Sequence, residues 1–207
     1  MKIPDRVEYF FIMRLATASF ILTPFLVFFH ECMHFAVINA IGMKAAFCSF
    51  SQVGIAGFDF TASGISKAIV FYNSDPAKIA LEAISAPIFT LVTAMVFLIL
   101  YRLEQDEMFW CAAFTPLCLR MIGVFTLLPR IIEKQDIPND EVIFAHFLKL
   151  PVVPTVLVSL ILGLVCICMI CMILERGKRL GFCVSSLVGG SAGYFIFERI
   201  VGMVLLR

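Results

Sequence analysis

The chain of 207 residues is 61% hydrophobic and only 15% charged, whereas soluble domains usually carry about 25% charged residues. Its net charge of +1 leaves no basic stripe that could neutralise phosphates, which excludes a nucleic-acid-binding surface. We therefore expect an integral membrane protein that contacts the lipid bilayer and no nucleic acid. The N-terminal MKIPDRVEY mixes acids and bases, so we expect no cleaved secretory signal.

Five apolar segments are long enough to cross about 30 Å of hydrocarbon. They are 17–42, 79–101, 108–129, 152–174 and 181–203. The first segment can extend back to Tyr9, which would make it too long for one span, and Arg14 and Pro24 then predict an interfacial turn or a kink there. Arg120, inside the third segment, must face protein or water because a charge facing lipid is costly. The pattern predicts a multi-pass protein, which we expect in the cell membrane.

The stretch between the first two spans differs from the spans in its residue pattern. Its β-branched and aromatic runs, broken by Gly and Ser, predict two or three short strands near 45–52, 55–60 and 67–73. The predicted fold class is a polytopic α-helical membrane protein with about five transmembrane helices and a small β-sheet between the first and the second. With no internal repeat, one domain over 1–207 is the simplest organisation.

The first span contains His30-Glu31-Cys32-Met33-His34. Two histidines four residues apart lie on one face of a helix and can both reach one metal ion. The glutamate beside the first histidine can activate a water at that metal. Polar groups are costly at bilayer depth, so the cluster predicts a functional site. The alternative is a pair of hydrogen-bonded core histidines beside an ion-paired glutamate.

A catalytic zinc usually takes three protein ligands and keeps one position for water. The third span ends on the same side of the membrane as the histidines, so segment 130–151 can supply the third ligand. The candidates are Asp136, Asp140 and His146, with Glu198 of the fifth span as a rival. Asp140 or Asn139 could instead merely cap the short helix that begins there.

The histidine helix is followed by two further blocks, AISAPIFTL at 83–91 and TLLPRIIEKQDIPNDE at 126–141. Together the three resemble the site-two protease family of intramembrane zinc metalloproteases. HECMHFAVINAIGMK is similar to the family's H-E-x-x-H helix, including the glycine eight residues after the second histidine, here Gly42. AISAPIFTL at 83–91 is similar to the family's small-Gly-Pro segment, with Ala86 where glycine is usual. The resemblance covers about 17–150, which would be the catalytic core, and leaves 152–174 and 181–203 as additional transmembrane helices.

The third block, TLLPRIIEKQDIPNDE at 126–141, is similar to the family's N-x-x-P…D-G block, which supplies the third zinc ligand. The family's four marked positions are occupied by Thr126, Pro129, Asp140 and Glu141. Glutamate in place of the glycine leaves both Asp140 and Asp136 open as the ligand.

The resemblance implies a zinc metalloendopeptidase that cuts a peptide bond in or near a transmembrane segment of a substrate protein. His30, His34 and Asp140 would hold Zn²⁺, and Glu31 would be the catalytic base. Two alternatives remain. A protease of the prenyl-protein type would use Glu198 as its ligand, and a non-catalytic membrane scaffold would bind metal for structure or transit.

Overall fold

The computed structural model describes residues 6–42, 45–48, 53–55, 76–133 and 139–197. Its elements in chain order are α1 (Arg6–Ala40), β1 (Ala45–Cys48), β2 (Val53–Ile55), α2 (Pro76–Glu104), α3 (Glu107–Ile132), α4 (Asp140–Phe147), α5 (Val152–Ile173) and α6 (Arg179–Ile196). Four of the described helices, α1, α2, α3 and α5, are long and apolar enough to cross a membrane. This is the architecture expected of a helical membrane protein.

The predicted spans 79–101, 108–129 and 152–174 coincide with α2, α3 and α5. The fifth, 181–203, corresponds to α6 as far as Ile196, and its end lies outside the described residues. The helix α6 is not among the four that are long and apolar enough to span. A fifth crossing therefore stays a prediction.

The helix α1 is longer than the first predicted span, because it runs unbroken over 35 residues and includes Pro24. The predicted interfacial turn near Arg14 is therefore wrong. The Arg14 guanidinium lies 3.6 Å from an Asp106 carboxylate oxygen and 3.8 Å from one of Glu107. These contacts at the start of α3 satisfy the charge without a turn in α1. After α1, Gly42 has a φ of 81°, a left-handed conformation that favours glycine at the end of a helix.

The strands β1 and β2 form an antiparallel pair in which Cys48 lies opposite Val53 and Ala45 opposite Ile55. The strand β1 falls within the predicted strand 45–52, whereas β2 overlaps the predicted strand 55–60 only at Ile55 and begins two residues before it. Among the described residues this pair is the whole of the sheet. The rest of the predicted sheet, including 67–73, lies outside them.

The helix α3 is central, because it contacts α1, α2, α5 and α6. The most extensive helix contact is between α1 and α6, where Gly189 and Gly193 lie directly against the backbone of Ala16 and Phe20. Small residues permit such close approach of membrane helices. The short helix α4 packs on α2 and α5, which brings its first residue towards the histidine-bearing part of α1.

Candidate metal centre

The two histidines of α1 lie side by side within the helix bundle. Their ring centroids are 5.2 Å apart, with the ring planes nearly perpendicular at 84°. Both side chains are largely covered, with 14% of His30 and 9% of His34 exposed. The helical spacing of four residues therefore produces the adjacent imidazoles that the sequence predicts.

Asp140, at the start of α4, meets both imidazoles. Its Oδ2 lies 3.6 Å from His30 Nε2, and its Oδ1 lies 3.6 Å from His34 Nε2. Ligand atoms of a tetrahedral zinc with bonds of about 2.0–2.1 Å stand about 3.3 Å apart. One ligand atom from each of the three residues lies within 4.8 Å of the others. The group could therefore hold a metal ion.

The residue that caps α4 is Asn139, whose side chain accepts from the backbone N–H of Glu141 over 3.1 Å. Asp140 is therefore not the capping residue, and its carboxylate lies next to the histidines. His146, a rival third ligand, is exposed on α4 and lies against the ring of Phe147, outside the three-residue group. The other two rivals, Asp136 and Glu198, lie outside the described residues.

Arg120 of α3 also contacts Asp140, at the oxygen that lies near His30. Its Nη1 donates to Asp140 Oδ2 over 3.2 Å, and its Nη2 donates to Glu141 Oε1 over 2.6 Å. Ser159 of α5 donates to the same Glu141 oxygen over 2.9 Å. Arg120 faces protein, as the sequence requires. Sequence reasoning did not foresee Asp140 and Glu141 as its partners.

The surroundings of Asp140 favour its ionised form. Burial alone would raise its pKa, but the adjacent imidazoles of His30 and His34 and the positive charge of Arg120 outweigh burial and hold the pKa well below its usual range. Asp140 is therefore a carboxylate at neutral pH, which is the form that binds a metal ion.

The remaining ring nitrogens of both histidines face α2. His30 Nδ1 lies 2.8 Å from Thr90 Oγ1, and His34 Nδ1 lies 2.9 Å from Glu82 Oε1. Sequence reasoning missed both residues. A threonine in an apolar run carries no signal, whereas a lone glutamate near the start of a span could have been matched to a buried histidine.

Acidic groups outnumber fixed cations in the described part of this site. The site contains four carboxyl groups, those of Glu31, Glu82, Asp140 and Glu141. Two of them, Asp140 and Glu141, pair with the guanidinium of Arg120. Buried charges are stable only when they are paired or coordinate a metal. A divalent cation held by the two imidazoles and Asp140 would reduce this imbalance, so the donor set and its charge both fit a metal ion.

A cavity of about 520 Å³ opens beside the site. Its polar wall includes His30, Glu31 and Arg120. The rest is largely apolar and comes from four helices, with Leu26 of α1, Phe89 of α2, Leu117 and Val124 of α3, and Phe195 of α6 as examples. An apolar cavity with a few convergent polar groups is the usual form of a substrate-binding site.

No protein-family model, curated protein or solved structure matches this chain. The family resemblance therefore rests on the three sequence blocks, and the function has to be argued from the geometry of the site.

Proposed function

We propose that this chain is an intramembrane zinc metalloendopeptidase, which hydrolyses a peptide bond in or near a transmembrane segment of a substrate protein. One observation carries the proposal: both Nε2 atoms of the histidine pair lie 3.6 Å from Asp140 oxygens, while Glu31, the neighbour of His30, lines the adjoining cavity. Three ligands with a general base beside an open space are the components of a zinc peptidase.

In the proposed mechanism each residue has one task. His30 and His34, as neutral imidazoles, and Asp140, as a carboxylate, hold the ion. When bound, zinc supplies a Lewis acid that activates water and polarises a carbonyl oxygen. Glu31 accepts the proton of the attacking water and then passes it to the leaving amine. Arg120 holds the third ligand in place through its hydrogen bond to Asp140.

The cavity supports a substrate taken from the membrane. Most of its wall is apolar, which suits apolar side chains and disfavours charged ones. A substrate helix must unwind locally before a carbonyl is accessible, because its backbone groups are otherwise hydrogen-bonded to each other. We propose that the chain is a multi-pass protein of the cell membrane. Its partners would be the lipid bilayer and a membrane-protein substrate.

The test compares wild type with Glu31→Gln, which removes the base and keeps the shape of the side chain. Each is produced in cells, metal is measured on the purified protein, and new peptide termini in the membranes are identified by mass spectrometry. We expect equal zinc in both proteins, and new termini in or near apolar segments with wild type alone. The matched control is Glu104→Gln, an exposed glutamate at the end of α2, which should behave as wild type.

Zinc in both proteins with identical sets of termini would contradict a hydrolase and favour the metal-binding scaffold. Wild type without bound metal would overturn the metal centre and the proposal with it.

A further inference from the structure

We propose that Thr90 and Glu82 of α2 are positioning residues that fix which ring nitrogen of each histidine faces the metal. The inference rests on the proposed metal site and adds a role to a helix that supplies no ligand. A metal-binding histidine needs a lone pair on the nitrogen that meets the ion, and the partner of its other nitrogen decides where the proton resides.

Thr90 determines the tautomer of His30. The threonine hydroxyl has one proton, which it donates to the backbone carbonyl of Ala86 over 3.0 Å. Its oxygen can therefore only accept from His30 Nδ1, 2.8 Å away. Nδ1 must then carry the proton, and Nε2 presents its lone pair. That Nε2 is the atom 3.6 Å from Asp140.

Glu82 has the same effect on His34 through charge. A carboxylate only accepts hydrogen bonds, so Glu82 Oε1, 2.9 Å from His34 Nδ1, favours the proton on that nitrogen. The contact does not align as a hydrogen bond, so the carboxylate acts through its negative charge, which favours the proton on the nearer ring nitrogen of a neutral imidazole. His34 Nε2 is thereby left to face Asp140.

The two contacts follow from the antiparallel course of α1 and α2. Moving forward along α1 from His30 to His34 corresponds to moving back along α2 from Thr90 to Glu82. Between them lies Ala86, whose side chain is fully buried. The two partners therefore sit on one rigid element, which can orient both rings at once.

The alternative explanation is that Thr90 only bonds to the preceding turn of its own helix, as many threonines do in apolar helices. That bond alone does not explain the second contact of the same oxygen. Thr93, one turn further along α2, provides the comparison. It lines the same cavity, but the hydroxyl that contacts His30 is that of Thr90.

The test measures zinc affinity by competition with a chelator of known affinity, on purified protein in detergent, and records the visible spectrum of the cobalt-loaded form. Thr90→Val keeps the shape and removes the acceptor, and it should weaken zinc binding about 10- to 100-fold and change the cobalt spectrum. Thr90→Ser, which keeps the hydroxyl, should restore wild-type binding. Thr93→Val is the matched control and should leave affinity unchanged.

Glu82→Gln and Glu82→Ala test the other histidine independently, including the case in which Thr90→Val does not fold. We expect a loss of about 10- to 100-fold for Glu82→Ala and a smaller loss for Glu82→Gln, whose amide oxygen still accepts.

Wild-type affinity in Thr90→Val would overturn the inference while the metal site remained. An equal loss in Thr93→Val would also overturn it, because packing would then explain both. Weak zinc binding in Thr90→Val, combined with identical peptide termini for wild type and Glu31→Gln, would support the positioning role and contradict the peptidase.

Discussion

Arg120 lies in the middle of α3 and donates from Nη1 to Asp140 Oδ2 over 3.2 Å. The same guanidinium bonds Glu141, so one side chain joins a long helix to the first two residues of α4. Glu141 is fully buried, and Arg120 is only 14% exposed. This contact holds the proposed third ligand where the two histidines can meet it.

Replacing Arg120 with methionine should lower the free energy of unfolding by about 3–5 kcal/mol, because two acidic side chains then lose their buried cation. The measurement is chemical unfolding in detergent, with a chelator present so that metal binding does not contribute. The control is Arg14→Met, which removes exposed ion pairs with Asp106 and Glu107 and should cost about 0–1 kcal/mol. Equal losses for the two variants would show that the buried contacts of Arg120 stabilise the protein no more than exposed ion pairs do.

Metal removal should destabilise the wild-type protein and leave ligand variants unaffected. We expect about one zinc per wild-type chain and none in His30→Ala. The zinc content of His146→Ala should equal that of wild type, because His146 is exposed and lies outside the metal-binding group. At a free zinc concentration 100 times the Kd, binding contributes about 2.7 kcal/mol, which a chelator should abolish in thermal unfolding. Loss of zinc in His146→Ala would place the metal elsewhere.

The sequence predicts the histidine pair because that arrangement depends only on local geometry. Two residues four apart share a helix face whatever packs against it. Asp140 could be proposed because it follows the third span, and the order of spans limits which segments meet. The choice between Asp140 and His146, by contrast, depends on which face of α4 is turned inward, and the structure turns Asp140 towards the histidines.

The contacts around the ligands were not predictable, because each one joins residues far apart in the chain. Thr90 lies 60 residues from His30, and Arg120 lies 20 and 21 residues from its two acids. At the beginning of α1, the extension towards Tyr9 is confirmed, and only the interfacial turn near Arg14 was wrongly predicted. Hydropathy shows where a chain can contact lipid, whereas α1 continues back to Arg6 as a helix through a part that is less apolar.

Trp110 of α3 fixes α5 by a hydrogen bond as well as by its size. Its ring is fully buried, and its Nε1–H donates to the carbonyl of Ile170 over 3.1 Å. Trp110→Phe should cost about 1–3 kcal/mol, since that carbonyl loses its side-chain partner, and Trp110→Ala about 3–5 kcal/mol through the additional cavity. Chemical unfolding in detergent measures both. No loss in Trp110→Phe would mean that packing alone accounts for the residue.

Gly193 tests the close packing of α6 on α1. A Cβ at this position would overlap the carbonyl of Phe20, and because that obstacle is backbone, the two helices would have to separate. Gly193→Ala should therefore cost about 1–3 kcal/mol, in the range found for overpacked cores. The control on the same helix is Gly181→Ala, where nothing lies near the added Cβ, and which should stabilise by up to about 1 kcal/mol through helix propensity. If both alanines stabilised the protein, α1 and α6 would not be in backbone contact at this point.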